Sequence, residues 1–179
     1  LHETIYDRQN FEGAKWVMTP ALREKWNQQV LWDGLRLGHL SNIATDHCPF
    51  TVADRRAGMQ DRPGGFTDFT EIPGGLPGIE TRMGLVWAGV AAGRITPADW
   101  VRLCAEAPAR TFGLWPAKGN LRVGADADVV VWDPARPQSL AAGALHMAVD
   151  HSPYEGMEVT GWPELVLSRG EVVARDGAF

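Results

Sequence analysis

The segment ATDHCPF at residues 44–50 concentrates the side chains best suited to chemistry. Asp46 stands at the end of a short apolar run, SNIAT at residues 41–45. Its carboxylate is an oxygen ligand for a divalent metal or a base for the proton of metal-bound water. The competing role is a cap on the following turn, since Asp is a favoured turn residue. His47 adds a titratable group, but neighbours on an extended chain point to opposite faces, so Asp46 and His47 are not expected to bind one ion. Cys48 has no Cys-His-Asn arrangement around it and reads as an inert thiol. His2, His39, His146 and His151 show no H-x-H or H-x3-H spacing, so they do not make a complete histidine metal site. Asp126 and Asp128 in GADAD suit a strand-initiating turn better than a calcium loop, which needs more ligands and a terminal Glu. Gly74-Gly75 in IPGGLPG lacks the lysine and preceding strand of a phosphate loop. The pair permits close backbone approach to a ligand, or simply a tight turn.

These residues need elements to hold them, and two halves of different character are expected. Residues 15–18 read as a brief buried strand ended by Thr19-Pro20. A helix follows with Leu22, Trp26, Val30 and Leu35 on one face, and then a second strand at 41–45. Residues 51–78 form a long Gly- and Pro-rich connection of the kind that is functional or mobile. A helix over 79–92 presents Ile79, Met83, Val86 and Val90 and stops at Gly93. Thr96 then caps a helix with Pro97 at its first position, Asp99 near its positive end, and Trp100, Leu103 and Cys104 toward a core. A short helical piece spans 108–112. Beyond Lys118, strands are expected at 120–123, 127–132, 146–149, 164–168 and 171–175, the last two joined by an Arg169-Gly170 hairpin. This order suits an α/β chain that closes a (β/α)8 barrel and continues into a small β domain.

Composition narrows the function classes. The chain has 179 residues, a formal net charge of −5 and 45% hydrophobic residues, the balance of an ordinary globular protein. Mild acidity argues against nucleic-acid binding, which neutralises phosphates with basic patches. No run of about 18 apolar residues and no signal-like N-terminus is visible, so a cytoplasmic protein without membrane partners is expected. The start at Leu1 runs straight into patterned sequence, which reads as a start within a domain, and eight tryptophans suit the packing of something larger.

The chain resembles the dihydropyrimidinase and hydantoinase branch of the amidohydrolase superfamily. ATDHCPF at 44–50 and FTEIPGGLPGIETR at 69–82 carry the likeness. FEGAKWVMTPALR before them, FGLWPAKGNLRVGADADVVVWDP at 112–134, SPYEG and RGEVVARDG support it in one order over almost the whole chain. The resemblance implies the last part of a TIM barrel over residues 1–116 and part of a small β-sandwich domain over 117–179. It implies two divalent metal ions of the zinc (Zn2+) type, held by an H-x-H, a carboxylated lysine, two further histidines and one aspartate. Asp46 matches that aspartate, as metal ligand and catalytic base, while the other ligands belong to segments outside this chain. Thr19 matches a position where the family usually has Ser and holds the cyclic substrate partly through its backbone. Gly74 falls where many members have Asn and again use main-chain groups. The implied activity is hydrolysis of a dihydropyrimidine or hydantoin ring to an N-carbamoyl amino acid by a homo-oligomer, dimer or tetramer. Two other readings stay open: a non-catalytic scaffold relative, which would lack the aspartate, and a related allantoinase or dihydroorotase, to which HCPF is less similar.

Overall fold

Thr96 shows how local sequence becomes structure in this chain. Its Oγ1 accepts the Asp99 N–H at 3.1 Å, while the Asp99 carboxylate accepts the Thr96 N–H at 3.1 Å and the Thr96 hydroxyl at 2.7 Å. This reciprocal box satisfies donors that the first turn of a helix cannot pair internally. In the computed structural model, which describes residues 1–57 and 69–179, it opens a helical stretch from Pro97 to Thr111. The stretch runs through a wider π turn, Arg102–Glu106, because Pro108 has no N–H to give the Cys104 carbonyl. Hydrogen bonds from Thr96 and Arg102 hold the Asp99 carboxyl at about 2, below its ordinary 3.8. A depressed carboxyl stabilises the fold above its ordinary value and loses that contribution as pH falls through its folded value. The stability difference between the native chain and Asp99→Asn should therefore be constant above pH 4 and vanish toward pH 2. Unfolding curves across that range check it, and a pH-independent difference would contradict it.

The helices are α1 (Asn27–Arg36), α2 (Val52–Ala57), α3 (Arg82–Ala91), α4 (Pro97–Val101) and α5 (Ala107–Thr111). The strands are β1 (Val129–Ser139), β2 (Glu158–Ser168) and β3 (Glu171–Arg175), in one sheet of order β1-β2-β3. β2 and β3 pair antiparallel, with Ser168 opposite Glu171. Arg169 and Gly170 between them both have positive φ, 51° and 87°, the conformation of the expected two-residue hairpin turn. That turn is tied down by Asp128, whose Oδ1 accepts the Arg169 N–H at 2.8 Å. Lys118 pairs with both Asp126 and Asp128, so the GADAD carboxylates are bound to the fold.

The chain divides into two compact units. One comprises Leu1–Gln29, Thr45–Thr81 and Ser139–Met157, the other Val30–Ala44, Arg82–Gln138 and Glu158–Phe179. The core of the second gathers Leu35, Val86, Ile95, Trp100, Leu103 and Cys104, with Trp32, Met83, Trp87, Val90 and Trp132 packed against them. Each fully buried large apolar side chain contributes about 1.5–3 kcal/mol. Trp87, Trp100 and Trp132 meet edge-on or tilted, their centroids 4.8–5.8 Å apart, the geometry that aromatic quadrupoles favour. α3 lies close because Gly84 carries no Cβ; one built there would stand 2.7 Å from the Trp162 ring. In the first unit Leu140, Arg55, Thr81 and Ser152 are buried almost completely, and the Trp16 indole N–H donates to the Pro153 carbonyl at 2.9 Å.

Several expected elements are corrected. Residues 15–18 are not a strand: Glu12–Trp16 is a 3-10 turn and the chain then extends without a ladder. Residues 41–45 have no strand pairing; the Ile43 N–H donates to the Leu103 carbonyl at 3.3 Å and its carbonyl accepts from the Arg82 guanidinium at 2.9 Å. Residues 120–123 and 146–149 are turns and bends, not strands. A short apolar run becomes a strand only when a neighbour completes its hydrogen bonds, and the described residues offer none to these four. The first helix begins at Asn27, so Leu22 and Trp26 precede it. Trp26 and Val30 are exposed, and Leu35 is the buried one of the expected face. The next helix starts at Arg82, leaving Ile79 exposed before it, while Val86 is buried with Met83 and Val90 packed against the core as expected. Of the connection at 51–78, residues 58–68 lie outside the described residues, and the preceding part folds as α2. No helix among the described residues is long and apolar enough to cross a membrane.

Candidate active site

Asp46, Thr19 and Gly74 come from three separate segments of the first unit, and all three line one cavity of about 360 Å³. The cavity wall also includes Met18, Cys48, Gly75, Leu76 and Tyr154. The convergence follows from a few main-chain bonds. The Gly75 N–H donates to the Val17 carbonyl at 3.0 Å, which brings the 74–76 segment against 17–19. The Cys48 N–H donates to the Leu76 carbonyl at 3.1 Å, and His47 and Leu76 form an isolated parallel bridge, which docks the 46–48 segment on the other side. Gly75 has to be glycine here, since a Cβ would stand 2.6 Å from the Cys48 carbonyl oxygen and 2.7 Å from its Cβ. Gly74 has room, with the nearest neighbour of a Cβ being Thr19 Oγ1 at 3.6 Å.

Asp46 adopts a left-handed backbone, φ 45°, and is an exposed residue in the cavity lining. Asp and Asn are the residues other than Gly that take this conformation most readily. The turn separates it from His47, whose Nδ1 accepts the N–H groups of Gly78 at 3.1 Å and Ile79 at 3.3 Å. His47 is therefore engaged in holding the 76–79 turn, and its Nδ1 is the acceptor nitrogen of the ring. Burial pushes the Tyr154 phenol above its ordinary value, so the wall near it is neutral. A second cavity of about 980 Å³, lined in large part by apolar side chains such as Val17, Ala21, Phe69 and Ile72, shares Met18, Thr19 and Gly74 with the first.

Sequence reasoning missed Arg55 altogether. This side chain is 0% exposed, and its guanidinium donates to the carbonyls of Val17 at 3.2 Å, Pro73 at 2.8 Å and Gly75. Burial pulls its pKa down, with the nearby Asp150 carboxylate acting the other way. Asp150 in turn accepts the Val52 N–H at the start of α2 on both oxygens, at 3.1 Å, and lies 2.9 Å from His151 Nδ1. In ADRRAG, Arg55 has the composition of a solvated face, and nothing in the spacing separates it from Arg56, which stacks on Phe11. No group of three His, Cys, Asp or Glu side chains able to hold a metal ion occurs among the described residues. Asp46 thus stands as a single oxygen donor.

Comparison with known proteins gives a consistent answer. The model of the amidohydrolase family matches residues 3–173. The D-hydantoinase of Geobacillus stearothermophilus is 46% identical over 180 aligned positions, covering 100% of this chain and 37% of that protein. The D-phenylhydantoinase of Escherichia coli is 44% identical over 180 positions, with the same shares of 100% and 37%. Among solved structures, the dihydropyrimidinase from Brevibacillus agri superposes with a TM-score of 0.94 at 42% identity, over 100% of this chain and 38% of that one. The chain spans little more than a third of the length of these relatives. With a family model matched from residue 3 to residue 173 and relatives aligned over its whole length, the chain belongs to the amidohydrolase family.

Proposed function

We propose that the whole protein containing this chain opens a cyclic amide, the ring of a dihydropyrimidine or a hydantoin, to give an N-carbamoyl amino acid. The observation that carries this reading is the meeting of Asp46, Thr19 and Gly74 in one cavity, in a chain whose relatives are named hydantoinases and dihydropyrimidinases. In this reading residues 1–116 complete a TIM barrel, residues 117–179 belong to a small β-sandwich domain, and Asp46 sits at the barrel mouth. The enzyme is a cytoplasmic homo-oligomer. The main chain at Thr19 and Gly74 holds the ring, and Asp46 accepts the proton of the attacking nucleophile and returns it to the ring nitrogen that leaves. An amide needs that delivery because unprotonated nitrogen leaves poorly. A scaffold relative without catalysis would not keep a carboxylate in this cavity.

The residues of this chain do not by themselves make up a metal centre, for one carboxylate cannot hold two ions against water. Asp46 fits as one donor of a binuclear zinc-like centre whose other ligands, including the carboxylated lysine, lie outside the chain; such a centre supplies activated water and carbonyl polarisation. Accordingly, the purified 179-residue chain should hold no stoichiometric zinc and open no hydantoin. The whole protein should lose activity on dialysis against a chelator and regain it with zinc. Metal analysis and ring-opening assays check both, and stoichiometric metal with turnover in the chain alone would overturn this division of ligands.

A further inference from the structure

Among the described residues no carboxylate is bonded to the buried Arg55, an arrangement that needs a reason, since an enclosed cation is costly unless strong acceptors surround it. Its acceptors are three main-chain carbonyls, Val17, Pro73 and Gly75. Those carbonyls lie in the two segments that carry Thr19 and Gly74. The peptide bonds after Val17 and Pro73 are trans, so each N–H points opposite to its carbonyl. With the carbonyls turned to Arg55, the N–H groups of Met18 and Gly74 face away from the guanidinium. Both residues line the cavity that contains Asp46, and neither N–H makes a hydrogen bond among the described residues.

We infer that Arg55 is a positioning residue for substrate binding: from behind the cavity wall it fixes and polarises the peptide groups whose N–H groups, at Met18 and Gly74, receive an acceptor oxygen of the ring. A charge-assisted bond to a carbonyl draws electron density through the peptide and strengthens the N–H on its far side as a donor. The guanidinium fork is what allows one side chain to hold carbonyls from both segments at once. The acceptor is a carbonyl oxygen of a neutral ring, which needs donors without a full charge beside it. Arg55 supplies its charge at one remove and touches no reacting atom. Asp150 supports the arrangement from the other end by capping the short helix that bears Arg55. This inference rests on the proposed cyclic-amide reading.

The test is steady-state kinetics of the whole protein on dihydrouracil and hydantoin, comparing the native enzyme with Arg55→Met and Arg55→Lys, alongside thermal unfolding. Arg55→Met should raise KM about tenfold or more while kcat of the folded fraction changes much less. Arg55→Lys, which keeps the charge and part of the donor set, should recover a large share of that loss. A purely structural role would lower the amount of folded enzyme, and hence apparent kcat, with KM unchanged. An unchanged KM in Arg55→Met, no recovery in Arg55→Lys, or failure of both variants to fold would overturn the inference. Failure of the native enzyme to open either ring would instead overturn the reading on which it rests, and is recognised before any variant is made.

Discussion

Replacing Asp46 by Asn in the whole protein should lower kcat by about 10²- to 10⁴-fold or more, the range of a lost general base. The substitution keeps the size and one oxygen. It also keeps the backbone, because Asn tolerates the left-handed conformation that Asp46 adopts, φ 45°. What it removes is the charge and the basicity of a residue that lines the cavity. KM should change little, since the proposed contacts to the ring are main-chain groups elsewhere on the wall. His47→Asn should cost much less. The His47 ring accepts from Gly78 and Ile79, and the Asn side-chain oxygen can take over part of that role. Metal content, folding and kcat of the two variants decide the matter. Near-native turnover in Asp46→Asn would show that the base is another residue, and a larger loss at His47 would show that the other face of this turn meets the substrate.

A second large effect is expected from a single added methyl group. Gly75→Ala would drive its Cβ to 2.6 Å from the Cys48 carbonyl oxygen, a main-chain atom that cannot swing aside. Relief requires moving the 74–76 segment away from Cys48. That breaks the Cys48 to Leu76 bond and shifts the Gly75 carbonyl held by Arg55. Overpacking of this kind costs about 1–3 kcal/mol, and displacing the main chain proposed to bind the ring should cost kcat/KM about tenfold or more. Gly74→Ala is the matched control for stability: its new Cβ meets Thr19 Oγ1 at 3.6 Å, an ordinary contact. Unfolding curves should therefore separate two adjacent glycines that look alike in IPGGLPG. Equal effects at both positions would remove the steric argument for the wall.

The features legible from sequence were those with local causes. The Thr96 box needs only the spacing of a hydroxyl and a carboxylate, and the Arg169-Gly170 turn needs only two residues able to take positive φ. The buried face of α3 follows from helical spacing, although Ile79 fell outside the helix. Residues 15–18 and 41–45 failed as strands because apolar spacing reports a tendency to be buried, whereas a strand also needs a partner for its N–H and C=O groups. The candidate site was legible only in part. Family resemblance singled out Asp46, Thr19 and Gly74 one by one. Their meeting in one cavity depends on main-chain bonds from Gly75 to Val17 and from Cys48 to Leu76, which no side-chain pattern encodes. Arg55 was hidden for the same reason: its acceptors are carbonyls, and every residue has one.

Opening of a cyclic amide at this cavity, as proposed, is measured most directly by product formation from dihydrouracil and hydantoin by the zinc-loaded whole protein, followed by loss of the ring and appearance of the N-carbamoyl amino acid. Ring opening of at least one of the two by the native protein is expected, with near-abolition in Asp46→Asn at unchanged metal content. A well-folded, metal-loaded protein that opens neither ring, or an Asp46→Asn variant that opens them as fast as the native protein, would contradict it.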